Sequence, residues 1–299
     1  MKSSLEKIYV NRDNFDILNN SRYLFSSNPF YQVNRFITRI DNSLTKNYLL
    51  NLKDLGVVNI KNSEYTSDYD YLHNIASSRD DKSDVFVLLH VASNDKNKKY
   101  TGIINEDGVG YGLNNGLTEY YTNRINGKRY SYPIESIVAK ILDKVAHKTL
   151  AISYFKNNSN LLCTSLNLPE YFILDLFELV DNYHDNYIEL MNSYREKFEK
   201  ERYYHNEVYG KFFKEKNKQL SDLYVNIHEL EYTNYVLVEN IYYLLIDIIM
   251  FSKMNTSEKN IIIELVNNEF SKLFKKEQFN YLSNISNCFE KPKVRNLTK

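Results

Sequence analysis

Two short segments of the sequence carry the residues that suggest chemistry. They are FVLLHVAS, which contains His90, and GLNNGLTEYYT, which contains Glu119. Imidazole nitrogens and carboxylate oxygens are common zinc ligands, and a catalytic zinc site uses three protein ligands plus a water. His147 and Glu106 are further residues of the right type. If three of these four side chains meet at one point, the sequence predicts a zinc-dependent hydrolase.

The elements that must position these residues are mainly helical. The spacing of apolar residues predicts helices over Asn28–Leu44 and Pro133–Phe155, where the proline suits a first helical turn. Periodicity alone cannot decide between helix and strand for Val85–Ala92, because nearly every residue there is apolar. Further helices are predicted downstream over residues 168–182, residues 186–230, Ile241–Phe251 and Ser257–Phe274.

Together with YPIESIVAKIL, which starts at Tyr132, the two segments resemble a family of uncharacterised zinc-metallopeptidase-like proteins of low-GC bacteria. Those proteins carry a pattern close to HELxHMAS, a glycine-containing loop and then GLNEGYTELLT, and the wider class is the gluzincins. The resemblance is clearest over residues 60–165. It implies an α+β, mainly α-helical fold: a gluzincin-like metallopeptidase core with a small sheet before the Val85 helix, and a helical C-terminal region. The resemblance implies a metallopeptidase-like core over residues 1–185 and a helical C-terminal region over residues 186–299.

Position by position, most of the family's metal chemistry is missing. In the family, two histidines four residues apart bind zinc, the glutamate after the first histidine activates zinc-bound water, and the glutamate of NEG is the third ligand. Here Phe86 and Val87 stand in place of the first histidine and the glutamate, Leu88 and Leu89 follow, and only His90 matches. Asn115 stands in place of the third ligand. Because one imidazole cannot hold zinc at useful affinity, the resemblance predicts no catalytic residues and an inactive enzyme.

A remnant site of His90, Asn114, Asn115 and Glu119 is what the resemblance leaves. His90 is either a residual ligand or a hydrogen-bonded core histidine, and Glu119 either binds metal beside His90 or pairs locally. The local interpretation is preferred for both. His147 lies next to Lys148 in a predicted helix, which favours a surface position. No cofactor is expected, and zinc would enter only through His90 and Glu119.

Composition narrows the classes of function. Among the 299 residues, 38 Lys and Arg balance 38 Asp and Glu, so we predict no nucleic-acid binding. Cys163 and Cys288 form no disulfide framework. The N-terminus shows no signal peptide, and the apolar run Ile241–Phe251 contains Asp247 and is too short to span a bilayer. We therefore expect no transmembrane segment and a cytoplasmic protein.

Three hypotheses about function follow. The preferred one is an inactive metallopeptidase-like protein, a pseudoenzyme that binds an unknown peptide or protein in the former cleft. The second is an active zinc hydrolase whose ligands are rebuilt around His90 and Glu119. The third is a structural or interaction protein acting through its helical C-terminal region, which an exposed tyrosine cluster over Tyr194–Tyr232 would favour.

Overall fold

A computed structural model describes residues 29–55, 60–62, 68–70, 75–78, 81–94, 100–126, 131–206 and 213–273. Three parts of the predictions lie outside these residues: Cys288, the beginning of the predicted core and the end of the predicted C-terminal region. Within them, ten α-helices follow one another: α1 (Pro29–Ile40), α2 (Asn42–Leu55), α3 (Asp81–Ala92), α4 (Tyr111–Asn126), α5 (Pro133–Ala146), α6 (Lys148–Phe155), α7 (Asn160–Leu166), α8 (Glu170–Asn206), α9 (Phe213–Phe251) and α10 (Thr256–Ser271).

The described β structure is limited to three strands of three or four residues between α2 and α3. They are β1 (Ile60–Asn62), β2 (Asp68–Asp70) and β3 (Ile75–Ser78), in the order β1-β3-β2. β1 runs parallel to β3 with Ile60 opposite Ala76, and β2 runs antiparallel to β3 with Tyr69 opposite Ala76.

The predicted α+β class is wrong. More than four-fifths of the described residues are helical. An α+β fold needs a sheet large enough to form one layer of the core, and strands this short do not supply one. The described buried core consists of helix residues apart from Ile103 and Leu168, which lie in connections between helices. The fold is therefore mainly α-helical.

Helix α3 packs against α1, α2 and α4. Every residue from Val85 to Ser93 is buried. A helix that is buried all round has no polar stripe, which is why periodicity could not separate helix from strand here.

Two of the predicted helices are each interrupted by one residue. Asp41 separates α1 from α2, and its carboxylate accepts a hydrogen bond from the Ser43 backbone N–H at 2.8 Å. An aspartate at this position satisfies a free donor of the first turn and so starts a new helix. His147, with φ 49° and ψ −136°, separates α5 from α6 within the predicted helix Pro133–Phe155.

Helices α8 and α9 form a long antiparallel hairpin. Asn186 of α8 donates a hydrogen bond to the Leu230 carbonyl, and Ser193, further along α8, contacts Asn226. The base of the hairpin belongs to the main core, whereas its distal part has a small separate cluster of four residues: Leu190, Leu223, Ile227 and Leu230. The predicted boundary between residues 185 and 186 falls inside α8.

By length and composition alone, one helix among the described residues could cross a membrane. It is α9 over Ser221–Phe251, and 39% of its most apolar window is buried. The apolar run Ile241–Phe251 is thus the end of a much longer helix. Core helices meet the same criterion of length and hydropathy, so the expected absence of a transmembrane segment and the cytoplasmic location stay predictions.

Candidate functional site

The residues of α3 that occupy the family's metal positions are packed into the core. Phe86 and Val87 are buried, and His90 is only 6% exposed. The His90 ring meets the Phe86 ring edge-on, with centroids 4.8 Å apart, and Phe86 stacks on Tyr132 at 6.1 Å. Leu88 and Leu89 are buried as well. The helix face that would hold a metal is therefore an aromatic packing surface.

The two asparagines of α4 lie in different surroundings. Asn114 is buried, and its side-chain oxygen accepts a hydrogen bond from the Ile103 backbone N–H at 3.2 Å. A Cβ on Gly102 would lie 1.8 Å from that oxygen, and Gly102 has φ 66°, so only glycine fits there. Asn114 therefore fastens the preceding loop to α4, while Asn115 is half-buried.

Glu119 joins α4 to the start of α5. Its buried carboxylate accepts hydrogen bonds from the backbone N–H groups of Ser131, at 2.8 Å, and Tyr132, at 3.2 Å. These residues immediately precede Pro133, where α5 begins. A negative charge near a helix N-terminus is favourable, because the first backbone donors have no partner within the helix. These contacts fit the local-pairing interpretation of Glu119.

A second carboxylate, from Asp181 of α8, holds the start of α4. It accepts hydrogen bonds from the backbone N–H groups of Gly110 and Gly112, each at 2.7 Å. Burial raises the pKa of the Asp181 carboxyl to about 6, although both backbone donors act in the opposite direction. Tyr111 donates to Asp185 at 2.5 Å, so α4 and α8 are joined at two places.

A buried histidine–glutamate pair joins α8 to α5. His184 Nδ1 lies 2.8 Å from Glu135 Oε1, and both side chains are buried. The other carboxylate oxygen of Glu135 is buried and has no hydrogen-bond partner in the described part of the chain. The His184 ring also contacts the rings of Tyr111 and Tyr132, at 5.6 and 5.4 Å.

Two glycines of GLNNGLTEYYT allow α4 to approach its neighbours closely. A Cβ on Gly116 would lie 2.3 Å from the carbonyl carbon and 2.4 Å from the carbonyl oxygen of Glu135. A Cβ on Gly112 would lie 2.9 Å from the Val180 carbonyl oxygen. At Gly116 the backbones of α4 and α5 are therefore in direct contact, and any side chain would push the two helices apart. We call this junction of α3, α4, α5 and α8 the α4 joint.

The residues present at the α4 joint do not fit zinc. Phe86 and Val87 offer no ligand atom, and Glu119 is engaged by backbone donors of α5. His147 and Glu106, the other candidate ligands, are exposed, and His147 lines a separate cleft. Across the described ranges, no group of three or more His, Cys, Asp or Glu side chains is placed to hold a metal ion.

Sequence inspection missed the partners that complete the joint. Asp181, His184 and Glu135 were not singled out, because each is separated from its partner by 49 residues or more. The only local signal was the acidic residue in the first turn of the helix that begins at Pro133, a position that favours negative charge.

Comparisons of this chain with protein-family models, with curated proteins and with solved structures find no match. The resemblance to gluzincin-like proteins therefore stays a prediction that depends on the quoted motifs.

The close crossing at Gly116 gives a stability prediction with a definite sign. Gly116→Ala should lower the free energy of unfolding by about 1–3 kcal/mol, because the added methyl group overpacks α4 against α5. Helix propensity alone would raise it by about 1 kcal/mol. Urea unfolding followed by circular dichroism measures the difference. Asn268→Ala, on the exposed side of α10, is the control and should cause no loss. A Gly116→Ala variant as stable as the parent would contradict the close crossing.

The histidine–glutamate pair predicts energetic coupling between two helices. Glu135→Ala and His184→Ala should each destabilise the protein, since each leaves a buried polar group alone. The loss of unfolding free energy in the double variant should be smaller than the sum of the two single losses by about 0.5–3 kcal/mol. A thermodynamic cycle from urea unfolding measures this. The control cycle combines Glu135→Ala with Lys200→Ala on the distal part of α8, which should be additive. Additivity of both cycles would mean that the pair contributes no coupling.

Proposed function

We propose that this protein is a pseudopeptidase that binds a peptide or protein partner and has no zinc-dependent hydrolytic activity. The proposal on catalysis is supported by the α4 joint, in which Phe86 and Val87 are core residues and Glu119 holds the start of α5. Without a carboxylate at position 87, no general base would stand next to a metal-bound water.

The former cleft is a poor place for the partner. A peptide bound there would have to reach His90 and Phe86, which are almost completely buried. Opening that region would separate aromatic rings that are in contact with one another. The geometry therefore favours another surface for the partner, and the helical hairpin offers one.

The observation that carries the binding proposal is an apolar face on the distal part of the hairpin. On α8, Met191, Tyr194 and Phe198 are spaced three and four residues apart and so share one side of the helix. On α9, Tyr224 is exposed. Tyr194 contacts Glu231 of α9, and the Lys197 ammonium lies 4.3 Å from the Tyr224 ring centroid, so both helices contribute to this side. We call the four apolar residues Met191, Tyr194, Phe198 and Tyr224 the hairpin face.

The composition of the hairpin face is that of a protein-binding surface. Phe198 is 65% exposed and Tyr224 is 39% exposed, so large aromatic surfaces contact water in the isolated chain. Aromatic residues dominate the binding energy of protein interfaces because they bury much area for few rotatable bonds. Lys197, Glu231 and His228 lie at the edge of the face and provide charges of both signs. A polar rim around an aromatic centre is the usual anatomy of such an interface.

A competition experiment tests this proposal. The chain carries a photo-reactive phenylalanine analogue at Tyr194, is mixed with an extract of the source organism's cells, and is irradiated. We expect a discrete cross-linked product. Unlabelled parent protein should compete for the cross-link. A Phe198→Ser, Tyr224→Ser variant should need about a tenfold higher concentration to compete equally, since aromatic anchors contribute more than 1 kcal/mol each.

Matched controls separate the hairpin face from general stickiness. The same analogue at Asn182, an exposed position nearer the base of α8, should give no such product. The competitor Glu178→Ser, Asn182→Ser should be as effective as the parent, because both of these side chains are exposed and lie outside the hairpin face. Equal competition by the hairpin-face variant would reject the hairpin face as the binding surface.

A further inference from the structure

A cleft of about 390 Å³ lies between α1, α4, α5 and α6, away from the α4 joint and the hairpin face. Its volume is in the range of small-molecule sites in proteins. Its lining differs from the rest of this neutral chain, because basic side chains from all four helices surround an apolar wall. The basic residues are Arg39, Arg124, Lys144 and Lys148.

The charges in the cleft leave an excess of positive charge. Asp143 is the one carboxylate in the described lining, and it already accepts hydrogen bonds from Tyr120, at 2.9 Å, and Arg124, at 3.1 Å. Within the described part of the chain, no carboxylate forms an ion pair with Arg39 or Lys144. Hydrogen bonds from Ser43 are the main reason why the pKa of Asp41 is lowered. The Lys148 ammonium is near enough to contribute to the same shift. Unpaired cations in a concave site attract anions and concentrate them there.

One cation is held in position by aromatic rings. The Arg124 guanidinium carbon lies 5.7 Å from the Phe36 ring centroid and 5.6 Å from the Tyr120 ring centroid. Its ion pair with Asp143 fixes it from a third direction. A planar guanidinium fixed in this way can donate two parallel hydrogen bonds to a phosphate group at little cost in side-chain entropy.

The wall of the cleft offers a donor and an apolar surface. Tyr121 lines the cleft, and its buried hydroxyl has no hydrogen-bond partner among the described residues. Burial raises the pKa of Tyr121 well above its usual value, so the group stays a neutral donor. An unsatisfied buried hydroxyl is costly unless a ligand oxygen accepts from it. Phe36, Ile40 and Ala151 form the apolar part of the lining.

The backbone at the edge of the cleft is strained. His147 lines the cleft and has φ 49°, which residues other than glycine rarely adopt. This strained residue ends α5 and starts α6, and its side chain does not cap the first turn of α6. Helix α6 therefore begins at the cleft without a side-chain cap from His147, and a helix N-terminus of this kind favours phosphate.

We propose that this cleft binds a small molecule that combines a phosphate group with an aromatic body, with the size and chemistry of a mononucleotide. The phosphate contacts Arg39, Arg124 and Lys148, and the aromatic body lies against Phe36 and Ile40. The inference does not depend on partner binding at the hairpin face.

Isothermal titration calorimetry at low salt tests the ligand class with four probes: adenosine monophosphate, phenyl phosphate, adenosine and inorganic phosphate. We expect the two phosphate esters to bind about tenfold more tightly than adenosine or phosphate alone, because only the esters satisfy both parts of the cleft. The proposal is overturned if neither ester binds to the folded protein, or if adenosine binds as tightly as its monophosphate.

Variants test the residues. Arg39→Gln with Lys148→Gln should weaken ester binding about tenfold, whereas the matched control, Arg35→Gln with Lys253→Gln, should leave it unchanged. Arg35 and Lys253 are exposed and do not line the cleft. Tyr121→Phe should weaken binding while raising the melting temperature of the ligand-free protein, because it removes the unsatisfied hydroxyl. Equal losses in the paired variant and its control would mean that binding is only non-specific charge attraction.

Discussion

Much of the structure depends on one steric constraint, the contact of α4 with the backbone of α5 at Gly116. Because no side chain fits between the helices there, the Glu135 side chain at the start of α5 lies close enough to α8 to meet His184. The same closeness lets Glu119 reach the backbone donors just before Pro133. Packing at one glycine thus fixes the positions of two buried carboxylates.

Those carboxylates illustrate how residues that suggest catalysis can be structural. Glu119 and Asp181 each bind two backbone N–H groups near the start of a helix, and Glu135 lies in the first turn of one. The Glu119 and Asp181 carboxylates accept from donors that a helix leaves unsatisfied, whereas Glu135 pairs with His184. We infer that GLNNGLTEYYT serves as a packing motif here, whatever its ancestry. The excess of basic side chains lies in a different place, the cleft between α1, α4, α5 and α6.

The sequence predicted the elements whose signals are local. Pro133 correctly marked the start of α5, and the apolar spacing around Val33 and Ile37 indicated α1. It failed where one residue overrides a pattern, as at His147, whose backbone conformation ends a helix that the spacing would continue. It also failed where partners lie far apart in the chain, because nothing near Gly112 points to Asp181. The α+β expectation was wrong because the strands between α2 and α3 are too short to form a layer of the core.

The most direct test of this account is the metal content of the purified, tag-free protein, measured by elemental analysis after incubation with zinc and dialysis. Melting curves with and without a chelator accompany it. The account predicts no stoichiometric zinc and a melting temperature that the chelator leaves unchanged, since Phe86 and Val87 supply no ligand. Stoichiometric zinc that is lost in a folded His90→Ala variant would contradict it. His90 would then be a zinc ligand, whereas here its ring is buried against Phe86.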